Sequence, residues 1–233
     1  MTNWITGDKH GSFDKIFNWV HYGKIKKYDT VIILGDSGIN YHKESNALKN
    51  KLNGLDINIF VIHGNHEERA TCIDTYKVID FLGGKVSVEK EYPNLIFAID
   101  GETYDFDGKK CIAIGGAYSV DKFYRLAIGA NWWENEQPSE EIKHYVEQQL
   151  IKDNWNVDYV FSHTCPYKFM PTEWFLNCIE QNEVDNSTEL WLDYIHNKLN
   201  YNMWYCGHFH GDKFVDKANL RFMYNDIIIL GGV

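Results

Sequence analysis

Proline is scarce in this sequence, with four residues in 233, and no tract of low complexity interrupts it. Nothing in the composition therefore suggests a disordered tail. No stretch reaches the roughly 20 apolar residues that a membrane-spanning helix needs. The first residues also lack the charged and apolar blocks of a secretion signal. Positive charge is in deficit: 23 Lys and Arg stand against 33 Asp and Glu, a formal charge of −10. A basic footprint is thus absent at the level of the whole chain. That argues against duplex nucleic acid as a partner, because affinity there depends on neutralising phosphates. The five cysteines (Cys72, Cys111, Cys165, Cys178 and Cys206) are odd in number and form no C-x-x-C pair. Neither a disulfide framework nor a structural zinc site is expected from them. These gaps point to a cytoplasmic protein with reduced thiols and no membrane contact.

What is present suits a single large domain over residues 1–233, with 44% hydrophobic and 24% charged residues. Aromatics reach 15%, a surplus that core packing absorbs and that can also line a cleft. Short apolar runs at 3–6, 30–34 and 57–62 alternate with helical patterns. Ser12 is the expected cap of the first helix, with Phe13, Ile16, Phe17 and Val20 on one stripe, and residues 44–52 form the second. This opening predicts a largely parallel sheet. Short strands follow at 95–99, 103–106 and 111–114, with Asp107-Gly108 as a hairpin turn. Helices are expected over 139–150, capped by Ser139, and over 187–199, with strands at 158–161 and 203–206. The segments 213–215, 220–224 and 227–230 read as an antiparallel meander.

Five of these strands end in polar residues: Gly7-Asp8-Lys9-His10-Gly11, Gly35-Asp36-Ser37-Gly38, His63-Gly64-Asn65-His66-Glu67, Ser162-His163 and Gly207-His208-Phe209-His210. The carboxyl ends of strands in an open α/β sheet border the ligand crevice, so distant segments can converge there. Asp8, His10, Asp36, Asn65, His163, His208 and His210 together offer two carboxylates, one amide oxygen and four imidazoles. One metal does not use seven donors; two metals sharing a carboxylate do. Mixed nitrogen and oxygen ligation suits manganese, iron, zinc, nickel or cobalt better than magnesium or calcium.

The blocks GDKHG, GDSG, GNHE, SH and GHFH, in this order, resemble the five blocks of the calcineurin-like metallophosphoesterases. The resemblance runs from residue 7 to residue 210. It implies an α/β fold, a four-layer α/β/β/α sandwich with mixed sheets. It further implies that Asp8, His10 and His210 hold one metal, that Asn65, His163 and His208 hold a second, and that Asp36 bridges them. Manganese is the first choice for both ions. In such a centre a hydroxide held by the metals attacks phosphorus, and His66 is implied to be the general acid for the leaving group. The expected substrates are phosphomonoesters or small phosphodiesters, phosphopeptides included.

The acidic or arginine-bearing continuation that many relatives carry after the bridging aspartate is missing from Gly35-Asp36-Ser37-Gly38-Ile39-Asn40. Arg69 and Arg125 are the candidate substitutes as phosphate contacts. Glu67 is read as a residue that orients or neutralises a neighbour, and His63 as a candidate support beside the site. Tyr118, Asp121 and Lys122 after Gly115-Gly116 are a candidate cleft wall. Two other readings exist. Gly35-Asp36-Ser37 with Asp193-x-x-His196 resembles a GDS-type serine esterase using Ser37, but that leaves four histidines idle. A catalytically idle metal-binding scaffold usually lacks ligands, and none is missing here.

Overall fold

The computed structural model describes residues 1–42 and 46–232. β1 (Asn3–Thr6), α1 (Asp14–His21), β2 (Thr30–Ile33), α2 (Asn46–Asn53) and β3 (Asn58–Val61) alternate as the opening pattern predicts. The expected first residues of α2, Glu44 and Ser45, lie outside the described residues. β4 (Tyr76–Phe81), β5 (Gly84–Glu89) and β6 (Tyr92–Ala98) follow, then β7 (Thr103–Phe106) and β8 (Lys109–Ile114). After α3 (Lys122–Ala127) and α4 (Glu140–Lys152) come β9 (Tyr159–Ser162), α5 (Ser187–Lys198) and β10 (Met203–Cys206). The chain closes with β11 (Lys213–Val215), β12 (Leu220–Phe222) and β13 (Ile227–Ile229).

Two mixed sheets result, with orders β13-β1-β2-β3-β6-β5-β4 and β11-β12-β10-β9-β8-β7. β1, β2, β3 and β6 run parallel in the first, and β8, β9, β10 and β12 in the second. Three apolar interfaces stack these sheets between helices. Phe13 and Ile16 of the α1 region and Leu52 of α2 pack on Val31, Ile33, Ile59 and Val61 of the first sheet. The opposite face of that sheet, with Ile32, Phe60 and Val86, meets Tyr104, Phe106, Phe161 and Tyr205 of the second. The outer face of the second sheet, with Ile112, Val160 and Trp204, is covered by Val146 and Leu150 of α4 and by Leu192 and Ile195 of α5. The order of layers is therefore α/β/β/α, as the resemblance implies. Among the described residues no helix is long and apolar enough to cross a membrane.

Two local expectations need correction. Phe13, not Ser12, precedes α1 and offers no side-chain cap; the Ser12 amide donates to the Lys9 carbonyl at 2.7 Å in a tight turn instead. The closing strands are no meander. β11 pairs antiparallel with β12, β12 joins β10 in parallel, and β13 crosses to the other sheet beside β1. The β4–β5 hairpin is also unforeseen. Its turn uses Leu82 and Gly83 at φ 49° and 89°, a twist-compatible pair like the Asp107-Gly108 turn between β7 and β8 at 56° and 78°.

Candidate metal centre

The register of the parallel strands sets the site. Thr6, Ile33 and Val61 lie side by side at the ends of β1, β2 and β3. Ser162 and Cys206 do the same at the ends of β9 and β10. The residues that follow each strand therefore emerge at one level, from both sheets. The chain must then turn at once. His10, Asp36, His208 and His210 all sit at positive φ, at 46°, 48°, 67° and 51°. That left-handed region is costly for side chains with a Cβ and clusters at functional sites. Gly35 makes the approach of the sheets possible: at φ +94°, a Cβ there would meet His163 Nδ1 at 2.1 Å.

Two sets of donors meet here. In the first, His10 Nε2 lies 2.9 Å from His210 Nε2, and His210 Nε2 lies 3.2 Å from Asp8 Oδ2. In the second, Asn65 Oδ1 lies 2.8 Å from His163 Nε2 and 3.1 Å from His208 Nδ1. Asp36 stands between the sets, with Oδ2 3.8 Å from His10 Nε2 and Oδ1 3.6 Å from His163 Nε2. All seven predicted donors are thus brought together, and Asp8, His10 and His210, or Asp8, Asp36 and His163, lie close enough to share a metal ion.

The protonation pattern fits a cation. His163 Nδ1–H donates to the Leu34 carbonyl at 2.7 Å, which leaves the lone pair on Nε2 in the neutral ring. The Asn65 amide is oriented by a bond from Nδ2 to Ser119 Oγ at 2.9 Å, so its oxygen faces that lone pair. Two acceptors in contact are what a bound metal reconciles. Asp8 Oδ2 is buried without a hydrogen-bond partner. Burial works to raise the Asp8 carboxyl, but His210 and the His208 amide act against it and hold it below its ordinary value. Asp36 goes the other way, pushed well up by burial and then by the Asp8 charge. Two buried carboxylates this close cannot both ionise at low cost without added positive charge.

His66 lies at the open edge of the cluster. Its backbone amide donates to Asp36 Oδ1 at 2.8 Å, and its Nε2 lies 3.8 Å from Asp121 Oδ1. Burial, then the charge of Arg125, depress its imidazole to about 3. Supporting groups with little signal in the sequence surround the donors. Ser119 Oγ also donates to Glu136 Oε2 at 2.5 Å, and Trp132 Nε1 donates to the same oxygen at 2.8 Å. Glu67, 1% exposed, accepts from Ser37 Oγ at 2.5 Å and from the amides of Ser37 and Gly64 at 3.3 Å. It ties the loops after β2 and β3 together, and burial raises it to about 7. A carboxylate three residues past a glycine is the only sequence signal for it; Ser119 and Glu136 have none.

Several candidates lie elsewhere or act otherwise. Arg69 is not brought to the cluster: its guanidinium pairs with Asp100 and donates Nε–H to the Asn135 carbonyl at 2.8 Å. Arg125 is 4% exposed and is held by the Asn131 carbonyl and, at 3.3 Å, by Ser119 Oγ. It touches the cluster through Ser119 rather than presenting a free fork to solvent. Ser37 Oγ is buried and donates to Glu67 rather than to a histidine. His196 packs its ring on Phe169 and Trp204, while Asp193 accepts from the Lys168 amide at 3.3 Å. The esterase reading therefore lacks its catalytic contacts. His63 lines a separate pocket with Arg69 and Asp100. Tyr118 and Asp121 line the cavity beside the donors, whereas Lys122 lies over the Trp132 ring, 4.2 Å from its centroid.

Known proteins share this arrangement of elements. A protein from Thermus thermophilus, TT1561, superposes with a TM-score of 0.54 at 12% identity, over 96% of this chain and 89% of its own. The phosphopantetheinyl hydrolase PptH from Mycobacterium tuberculosis gives 0.51 at 14% identity, over 96% and 88%. No curated protein sequence matches the chain. The sequence profile of the calcineurin-like phosphoesterases matches residues 1–212.

Proposed function

The chain belongs to the calcineurin-like phosphoesterase family, and from that premise we propose that it hydrolyses phosphomonoesters or small phosphodiesters with two divalent transition-metal ions. The observation that carries this reading is the pair of donor sets joined by Asp36. Asp8, His10 and His210 would hold one ion, Asn65, His163 and His208 the other, and Asp36 both. The mixed donors suit a transition metal, with manganese the choice that family membership suggests and iron, zinc, nickel and cobalt as alternatives. When bound, the ions supply Lewis-acid stabilisation and an activated water.

The chain itself supplies position and a proton. The amide of His66 is anchored on the Asp36 carboxylate at 2.8 Å, which places its backbone at the edge of both donor sets. His66 protonates the departing alcohol from Nε2.

The test is a panel of p-nitrophenyl phosphate, bis-p-nitrophenyl phosphate, cyclic nucleotides, a phosphopeptide and single-stranded DNA. Turnover of a monoester or small diester, removed by EDTA and restored by Mn²⁺, is expected. Turnover that survives chelation, or cleavage of the DNA alone, contradicts the proposal.

A further inference from the structure

A cavity of about 330 Å³ opens beside the cluster, with Asn65, His66 and His208 among its lining residues. That size suits a small-molecule group rather than a folded partner. Its walls are apolar: Trp174, Phe175, Leu176, Ile179, Val184 and Phe209 all face it. They are braced from behind, since Phe175 stacks on Phe209 with centroids 6.5 Å apart and Trp174 packs edge-on against Phe222 at 5.6 Å.

Three acceptor oxygens in this cavity are buried without partners. Glu189 is 4% exposed, accepts from Thr164 Oγ1 at 2.8 Å through Oε1, and leaves Oε2 without a partner. Asn186 Oδ1 and Asp121 Oδ1 are also buried without hydrogen-bond partners. All three residues line the cavity, and none of its described lining residues is Lys or Arg. Away from the metal cluster, a second phosphate or a carboxylate on the substrate would meet these acceptors and desolvation, with no Lys or Arg among the described lining residues.

From these contacts, and resting on the hydrolase reading above, we infer that the substrate is a phosphate ester whose leaving group is a neutral, mostly apolar alcohol seated in this cavity. In the reaction the oxygen of water bonds to phosphorus and gives up a proton to solvent, while the P–O bond to the alcohol breaks. The alkoxide takes a proton from His66 Nε2, which solvent restores, and is released as the alcohol into the apolar cavity. Sugar phosphates lack the apolar surface to fill that space.

The test uses ethyl, butyl, hexyl and octyl phosphate, whose alkoxides differ little in basicity, beside glycerol 3-phosphate, ATP and a phosphopeptide. The metal-loaded protein should show kcat/KM rising about fourfold per methylene until the cavity is filled, with hexyl phosphate far above the polar esters. Trp174→Ala should lower the hexyl-to-ethyl ratio at least tenfold. Leu176→Ala, at a site 61% exposed where truncation leaves the core intact, should lower it by a smaller factor. Calorimetric titration of metal-free protein with 1-octanol should give saturable binding that Trp174→Ala weakens. A flat or falling series, preference for ATP or the phosphopeptide, or no saturable octanol binding overturns the assignment while leaving the hydrolase reading in place. Failure to cleave any ester with metal present overturns both.

Discussion

Asn65 donates its Nδ2–H to Ser119 Oγ at 2.9 Å, an orientation in which the amide oxygen faces His163 and His208. The loop after β8 thereby governs a donor at the end of β3. Ser119 in turn is held by Glu136 and Arg125. Groups behind metal ligands commonly set affinity through orientation rather than contact.

Ser119→Ala is accordingly expected to weaken metal binding by about 10–100-fold. The loss of a hydroxyl that serves Asn65 and Glu136 should lower folding stability by ~1–3 kcal/mol. Calorimetric titration of metal into the metal-free variant, with urea unfolding alongside, separates the two effects. Unchanged metal affinity in the folded variant would show that Asn65 does not depend on Ser119.

Arg69 provides the contrasting case. Its pair with Asp100 is buried on both sides, at 8% and 6% side-chain exposure. Arg69→Ala strands a buried carboxylate, and a loss of about 3–5 kcal/mol is expected. Below the melting temperature the phosphatase rate of the folded fraction should stay within a factor of two of wild type. A selective rise in KM with an unchanged melting temperature would make Arg69 a substrate contact after all.

Glu189 gives a pH signature. Burial raises its carboxyl from the ordinary 4.5 to about 7. A carboxyl whose pKa is raised on folding keeps its full contribution below pH 4.5. It then costs stability as pH climbs from 4.5 to about 7, because over that range the unfolded chain binds fewer protons than the folded one. Metal-free Glu189→Gln should match wild type near pH 4.5 and exceed it at pH 8 by about 3 kcal/mol. Urea midpoints across that range provide the measurement; no gain at pH 8 would show that Glu189 is not held neutral by its surroundings.

Local sequence carries the site further than it carries the topology. The apolar runs at β1, β2 and β3, each closed by glycine and a metal-ligating residue type, are local signals, and the strands stand where those signals place them. The parting of β12 and β13 into different sheets is decided by pairing with β10 and β1, some 200 residues away in the second case. No short-range pattern encodes that. The β4–β5 hairpin escapes a sequence reading because Lys77, Val78, Ile79 and Asp80 are all exposed, so no alternation of burial marks the strand. Arg69 is misplaced by sequence for a related reason: nearness to Asn65 along the chain says nothing of Asp100, which a different strand delivers. Ser119 and Glu136 lie in loops whose residue types are ordinary there, and only the closed fold gives them their partner.

The most direct measurement is calorimetric titration of Mn²⁺ into metal-free wild type and His66→Ala, with p-nitrophenyl phosphate turnover measured on the same samples. Two equivalents per chain are predicted for both proteins, with turnover falling about 10²–10⁴-fold in the variant. Binding of one equivalent or none to wild type, or turnover unchanged by His66→Ala, would contradict the account.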